Sequence, residues 1–433
     1  MIRIVRTSDR QATPVIRGLV ERAAIERDVE PQVREILAAV RARGDAALIA
    51  FTRRFDGVDC SCDRLRVAED EIGAAKAGVS RTIRTALAEA AHRIEAFHTN
   101  EMQSSWESEA EPGVRVVQIV RPLDSVGIYV PGGEAAYLST VLMNAIPAAV
   151  AGVQRVVLAT PPGPGGRIDP HVLYAAARCG VSEVYRVGGA QAIGALAYGT
   201  ETIAPVDKII GPGNVYVNVA KRLVFGDVGI DALAGPSEVV VLADGTADPA
   251  LVAADLLSQA EHDRLATAIL VTPSEELAVA VAAETARQVP AFARSDVIES
   301  ALTDRGAIVL VDTLDEGIEL VNRLAPEHLE VVVEQPSRVL PGIRHAGAIL
   351  VGRDTPVAFC DYGAGPTHVL PTGGAARFSS PLGVTDFVVR TNVLTVSPSA
   401  GARLADALTP IAEIERFAAH AAAMRLRKEP RDG

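Results

Sequence analysis

Three short stretches decide the fold: SVGIYVPGG at 125–133, EVYRVGG at 183–189 and KIIGPGN at 208–214. Each is an apolar run that stops at a glycine turn. Each is followed by residues with helical spacing, to about Gly152, through Tyr198 and to about Phe225. Arg155–Ala159 with a helix around Pro170–Cys179 adds a fourth unit. Strand and helix thus alternate four times, which predicts a parallel sheet with crossover helices. In such sheets ligands bind at the carboxyl ends of the strands, and helix N-termini attract phosphate. None of these turns is a GxGxxG, and a tight strand-to-helix connection needs glycine in any case, so the turns alone leave a nucleotide site and a purely structural role equally open.

Outward from this core, a second series reads as strands at Glu238–Ala243, Thr267–Val271, Ala307–Val311 and Ala348–Val351, with a helix over Asp248–His262. These predict a second α/β sheet. The first third reads as helix over Glu30–Phe55 and Glu69–Thr99. Pro410–Arg427 reads as a short helix with Ile411, Ile414, Phe417, Ala418 and Ala421 on one side. The longest uncharged stretch, Ala135 to Gln154, contains Ser139, Asn144 and Pro147, which suit a buried core helix rather than a lipid-facing span.

Composition narrows the function classes. The chain has 433 residues, 48% hydrophobic and 22% charged, an ordinary globular balance. Its net charge of −12 and its few aromatics (9 Phe, 7 Tyr, 1 Trp) argue against nucleic acid as a partner. Four cysteines (Cys60, Cys62, Cys179, Cys360) are too few for a disulfide framework, and the opening residues show no apolar signal core. A reducing cytoplasmic setting is expected.

Chemistry-bearing residues stand out in apolar surroundings. Gln259 and His262 are three apart, so on a helix they share a face and could hold one ion or ligand; a polar helix end fits the same spacing. Glu327 and His328 follow Pro326, which suits a first helical position. Such a start would bring two proton-transfer groups to one substrate; a solvated helix start is the alternative. Asp361 and His368 share the glycine-rich loop Asp361–Pro371, and His420 sits among alanines near the C-terminus. His92, His98, His171 and His345 are expected in surface or structural roles. A borderline metal such as Zn²⁺ suits His and carboxylate ligands, but spacing does not show that these distant residues converge.

Longer motifs go further. GPGNVYVNVAKRLVFGDVGID from Gly211, AGPSEVVVLAD from Ala234, AADLLSQAEHD from Ala253, RLAPEHLE from Arg323 and DYGAGPTHVLPTGGAARFSSPLGVTDF from Asp361 resemble the histidinol dehydrogenase family, as do IYVPGG from Ile128 and VGGAQAIGALAYGTETI from Val187. The likeness runs over nearly the whole chain. It implies a zinc- and NAD-dependent oxidation of L-histidinol to L-histidine through an enzyme-held aldehyde. By position, the zinc ligands would be Gln259, His262, Asp361 and His420, one ion per subunit, with the C-terminal ligand coming from the partner of a homodimer. Glu327 and His328 would be the acid/base pair with His368 beside them. Ser237 and Glu415 would contact substrate, and Tyr129, Gln191 and Asn214 would contact NAD. Gln259, His262, His328, Asp361 and His420 would also border the substrate.

The expected architecture is α/β: two Rossmann-like parallel-sheet domains with small helical N- and C-terminal extensions, in an intertwined homodimer. One domain would combine residues 25–128 and 239–380 and carry the zinc and catalytic residues. Residues 129–238 would bind NAD, 1–24 with 381–400 would form a small dimerisation segment, and 401–433 would supply His420. The chain departs from the family pattern at Cys360, where Gly is expected and a packing change is the reading, and at Arg416 and Phe417, which are bulkier than usual. These last two leave open a same-fold zinc/NAD alcohol dehydrogenase acting on another alcohol, such as a sulfonated diol. Glu415 and Ser237 favour the cationic histidinol, since a sulfonate should bring in a positive group. A zinc hydrolase and a non-catalytic binding protein are the readings from other classes.

Overall fold

The computed structural model describes residues 2–9, 12–20, 29–132, 136–233 and 235–428. Gly133, Ala135, Ala234 and the 24/25 domain edge lie outside them. Among the described residues the strands are β1 (Arg3–Arg6), β2 (Trp106–Glu111), β3 (Val114–Pro122), β4 (Ser125–Tyr129), β5 (Arg155–Thr160), β6 (Glu183–Arg186) and β7 (Lys208–Ile210). They continue with β8 (Gly229–Ile230), β9 (Glu238–Ala243), β10 (Thr267–Thr272), β11 (Ala307–Leu310), β12 (His328–Val332), β13 (Ala348–Val351) and β14 (Val388–Val396). Two compact units result: Met1–Glu101 with Asp124–Phe387, and Met102–Leu123 with Val388–Gly433.

The first unit holds two parallel sheets. One has the order β6-β5-β4-β7-β8, the other β1-β11-β10-β9-β12-β13. The alternation of strand side chains explains how the six-stranded sheet is buried on both faces. Val239, Val241, Leu270 and Ile308 pack with the helices Pro249–Ala260, Glu275–Gln288 and Val357–Tyr362. Val240, Leu242, Ile269, Val309, Leu329 and Val331 pack on the other face with the helix Leu314–Leu324. In the five-stranded sheet, Tyr129, Val157, Tyr185 and Ile209 share a core with helices Glu30–Arg43, Asp45–Asp56, Gly189–Tyr198 and Val215–Val224.

The two long helices expected in the first third are each broken once, at Gly44 with its positive φ of 51° and at Val79-Ser80, where Ser80 Oγ caps the next helix by accepting from Ile83 N. The uncharged stretch contains a buried helix, Leu138–Ala151, in which Asn144 donates its amide to Thr140 O. No helix among the described residues is long and apolar enough to cross a membrane.

Four expectations need correction. The N-terminal extension is not purely helical: β1 pairs in parallel with β11 at the sheet edge. β12 was missed because its buried HLEVV carries Glu330 and lacks a clear alternation. The second unit contains an antiparallel sheet, β14-β3-β2, outside the parallel α/β plan: β2 is polar and exposed, and the valine-rich β3 and β14 contribute no fully buried residue. The C-terminal helix is two, Pro398–Ile414 and Ala418–Arg425, separated at Arg416 with φ of 62°. Ile411, Ile414 and Phe417 are exposed there, so they do not form a core stripe within this chain.

Candidate active site

Glu327 and His328 open a strand, not a helix. The helix Leu314–Leu324 ends at Ala325 in a left-handed conformation, Pro326 prevents its continuation, and β12 begins at His328. Parallel pairing sets His328 beside Val239 of β9 and Ala348 of β13. Because Leu329 and Val331 face the helix Leu314–Leu324, His328 and Glu330 face the other side, toward the helices Pro249–Ala260 and Val357–Tyr362.

Both residues are buried, which excludes a solvated helix start. Glu327 is locked by a reciprocal exchange with Glu238: Glu238 N donates to Glu327 Oε2 at 2.8 Å, and Glu327 N donates to Glu238 Oε2 at 3.3 Å. Glu238 Oε1 also accepts from Gly373 N at 3.0 Å. His328 Nδ1 lies 3.3 Å from Glu238 O and 3.7 Å from Glu327 Oε2. A carbonyl only accepts, so Nδ1 carries the proton and Nε2 presents its lone pair. That buried Nε2 has no hydrogen-bond partner and stands 3.6 Å from Asp361 Oδ1.

Asp361 lies near the end of the short helix Val357–Tyr362 and reaches a second imidazole, with Oδ2 at 3.9 Å from His262 Nε2. Burial raises its carboxyl to about 7. His368 is joined to the same residue by the backbone, Nδ1 donating to Asp361 O at 2.9 Å. Burial lowers His368 to about 4, with His262 adding to the depression. Burial, then His368 and His262, lower His328 to about 3. The dry surroundings of His328 therefore hold its imidazole neutral. Cys360 is a core residue whose thiol donates to Thr367 O at 3.8 Å, and burial pushes it up to about 12.

Gln259 and His262 close the helix Pro249–Ala260: Gln259 is in its last turn, and His262 follows the end, its N donating to Gln259 O. Gln259 is 1% exposed, and neither side-chain amide atom has a hydrogen-bond partner. A buried amide without partners is costly, and an added ligand would satisfy it. A helix C-terminus also favours positive charge. The amide oxygen of Gln259, the imidazole of His262 and the carboxylate of Asp361 are N and O donors that suit Zn²⁺. Among the described residues no group of three or more His, Cys, Asp or Glu converges as a metal site; the first unit brings together His262 and Asp361.

These residues gather at the amino ends of β9 and β12, opposite to the edge expected for ligands in such a sheet. Ser237 directly precedes β9 at that same edge. The residues expected to contact NAD stand at the carboxyl ends of the other sheet's strands. Tyr129 ends β4, its hydroxyl accepting from Gly189 N at 3.1 Å in the turn after β6. Gln191 lies in the first turn of the next helix, 1% exposed, with Oε1 unpartnered. Asn214 caps the helix Val215–Val224, Oδ1 accepting from Tyr216 N and Val217 N.

A buried ion pair pins the turn before Asn214. Lys221 Nζ donates to Gly211 O at 3.0 Å and pairs with Asp231, whose Oδ2 accepts from Gly211 N at 2.8 Å. Gly211 has φ of 108°, and a Cβ there would lie 2.2 Å from Tyr129 O. Only glycine fits this approach.

Glu415 and His420 belong to the second unit. Glu415 follows the helix Pro398–Ile414, and His420 is an exposed residue of the helix Ala418–Arg425, its ring 5.3 Å from that of Phe417. Sequence reasoning missed three carboxyl residues: the buried Glu238 and Glu330 and the half-buried Asp255. The signal was available for two of them, since Glu238 and Glu330 are lone charges inside the valine-rich runs of β9 and β12.

Comparison with known proteins agrees with the motif reading. The family model described as "Histidinol dehydrogenase" matches residues 20–428. The histidinol dehydrogenase of Geobacillus kaustophilus is 52% identical over 418 residues, covering 96% of this chain and 98% of that protein. That of Bacillus subtilis is 48% identical over 415 residues, covering 94% and 97%. The crystal structure of histidinol dehydrogenase from Elizabethkingia anophelis superposes with a TM-score of 0.93 at 36% identity, covering 98% of both chains.

Proposed function

This chain belongs to the histidinol dehydrogenase family, oxidoreductases of histidine biosynthesis, and from that premise we propose that it oxidises L-histidinol to L-histidine in two steps at one site. The observation that carries this reading is the buried His328, its Nδ1 tied to Glu238 O and its unpartnered Nε2 directed toward Asp361.

Gln259, His262 and Asp361 would hold one Zn²⁺ per subunit, with His420 of the partner subunit completing the set. The ion would orient the amine and imidazole of the substrate. NAD⁺ would supply the hydride acceptor for each oxidation, held near Tyr129, Gln191 and Asn214, where the committed Oδ1 of Asn214 leaves its Nδ2 to donate. Ser237 and Glu415 would contact the substrate, the carboxylate matching its cationic amine.

His328, kept neutral by burial, would take the alcohol proton at Nε2 in the first oxidation. Glu327, oriented by Glu238 N, would then take a proton from the water that attacks the retained aldehyde. His368, fixed through Asp361 O, would border the same space. Keeping the aldehyde enclosed until the second oxidation prevents its escape. The active form would be a cytoplasmic homodimer.

The test is NADH formation with L-histidinol against sulfonated propanediol, before and after chelation. The reading expects turnover with L-histidinol that chelator abolishes and Zn²⁺ restores. Turnover with the sulfonated diol alone would move the chain to another alcohol. Hydrolysis without NAD⁺ dependence would remove it from oxidoreductase chemistry.

A further inference from the structure

Behind the site lies a pair of carboxyl groups that the proposed reaction does not use. Glu330 is two residues after His328 on β12, on the same strand face, and is 1% exposed. Its Oε1 accepts from Val357 N at 2.8 Å, the first residue of the helix that carries Asp361. Its other contact is a side-chain hydrogen bond with Asp255. Asp255 is one turn before Gln259 in the helix Pro249–Ala260. The pair therefore touches each of the three elements that present site residues.

We propose that Asp255 and Glu330 are positioning residues, a hydrogen-bonded brace that sets His328, Gln259 and Asp361 in register by tying β12 to the two helices. The proposal rests on the metal and proton-transfer reading of the site given above.

The chemistry of the pair supports a directional bond. A carboxylate beside the buried Glu330 disfavours its ionisation, so one proton is retained between the two groups. Burial and the Asp255 charge raise Glu330 well above the ordinary glutamate range, while its hydrogen bond to Glu330 partly offsets the upward push of burial on Asp255. Glu330 is thus the O–H donor and Asp255 the acceptor. With Glu330 joined both to Val357 N and to the Asp255 side chain, neither the strand nor the helices can slide without breaking one of these hydrogen bonds. Groups that orient ligands in this way commonly govern metal affinity as strongly as the site is sensitive to ångström shifts.

The brace predicts which substitutions are tolerated. Glu330→Gln keeps both functions: its amide donates to Asp255 and its oxygen accepts from Val357 N. Asp255→Asn keeps an acceptor. Glu330→Ala removes the brace, and Asp255→Ala removes its bond to the helix of Gln259 alone.

The experiment uses the full-length zinc-loaded enzyme and measures zinc affinity by chelator competition, kcat and KM with L-histidinol, NAD⁺ affinity, and amide exchange in the peptide 357–362. In Glu330→Ala and Asp255→Ala, zinc affinity and kcat are expected to fall about 10–100-fold with NAD⁺ affinity unchanged, while Glu330→Gln and Asp255→Asn stay within about twofold of wild type. Exchange in 357–362 should accelerate in Glu330→Ala and not in Glu330→Gln. Should Glu330→Ala fail to fold, Asp255→Ala carries the test. Faster exchange with unchanged zinc affinity and kcat would reduce the pair to a structural bond and overturn the proposal. So would Glu330→Gln as damaging as Glu330→Ala. Absence of zinc binding by the wild-type enzyme would instead overturn the site reading, and the brace with it.

Discussion

The two parallel sheets of the first unit use opposite edges. At the amino edge of the six-stranded sheet, imidazoles and carboxyl groups gather beside the C-terminal end of the helix Pro249–Ala260, where partial negative charge favours a cation. At the carboxyl edge of the five-stranded sheet, glycine turns lead into helix N-termini, where partial positive charge favours an anion. The first edge leaves both ends of the Gln259 amide and Nε2 of His328 unpartnered, the second Oε1 of Gln191. At the second, Gly211 is pinned at both N and O by Lys221 and Asp231. The same α/β plan thus gives an edge suited to metal and proton transfer and an edge suited to a phosphate-bearing cofactor. Which one results depends on which end of the helix meets the ligand.

The comparison is broken most severely at the reactive edge. His328→Ala should lower kcat with L-histidinol about 10²–10⁴-fold, measured by steady-state NADH formation, with NAD⁺ affinity unchanged. A kcat near wild type would remove His328 from proton transfer. At the pinned edge the reverse pattern is expected. Lys221→Met leaves the buried Asp231 without its cation and Gly211 O without a donor, so urea unfolding should show a loss of about 3–5 kcal/mol. Zinc affinity should be preserved in that variant if it folds. A stability loss under ~1 kcal/mol would show that the pair does not hold the turn.

Smaller changes sharpen the contrast. Glu330 is raised above its unfolded value, so at neutral pH the native protein holds a proton that the unfolded chain releases. Stability therefore falls as pH rises from the ordinary glutamate range toward the folded value. Glu330→Gln removes this term: it should match wild type near the glutamate range and exceed it by about 1–2 kcal/mol at neutral pH, read from urea midpoints. A constant offset at every pH would contradict the assigned protonation. Asn214→Ala deletes a cap that accepts from two backbone N–H groups and should destabilise by about 1 kcal/mol, with Asn214→Gly costing only a few tenths.

Much of the five-stranded sheet was legible because β4, β6 and β7 each run into a glycine turn and the helices between strands keep their spacing; the two-residue β8 was too short to read. The turn residues Tyr129, Gln191 and Asn214 stand at those strand ends for the same reason. The reactive edge was harder to read. His328 opens a strand whose Glu330 is buried by a carboxyl partner 75 residues away in sequence order, at Asp255, and no local pattern announces such a pairing. The convergence of Asp361 with His262 and His328 likewise depends on how helices return to the amino edge, which spacing does not encode. The antiparallel sheet of the second unit was not read from the sequence: WESEAE at Trp106–Glu111 is polar and exposed, and the valine-rich β3 and β14 pair across more than 260 residues, which no local pattern announces. Long family motifs reached the candidate residues where periodicity stopped.

The most direct test of the central claim is a count of NADH produced per L-histidinol, with substrate limiting and NAD⁺ and Zn²⁺ in excess. Two successive oxidations at one site predict two NADH per histidinol, with L-histidine as the product and no free aldehyde trapped by an added amine. One NADH with aldehyde released to the trap, or none at all, would contradict the account.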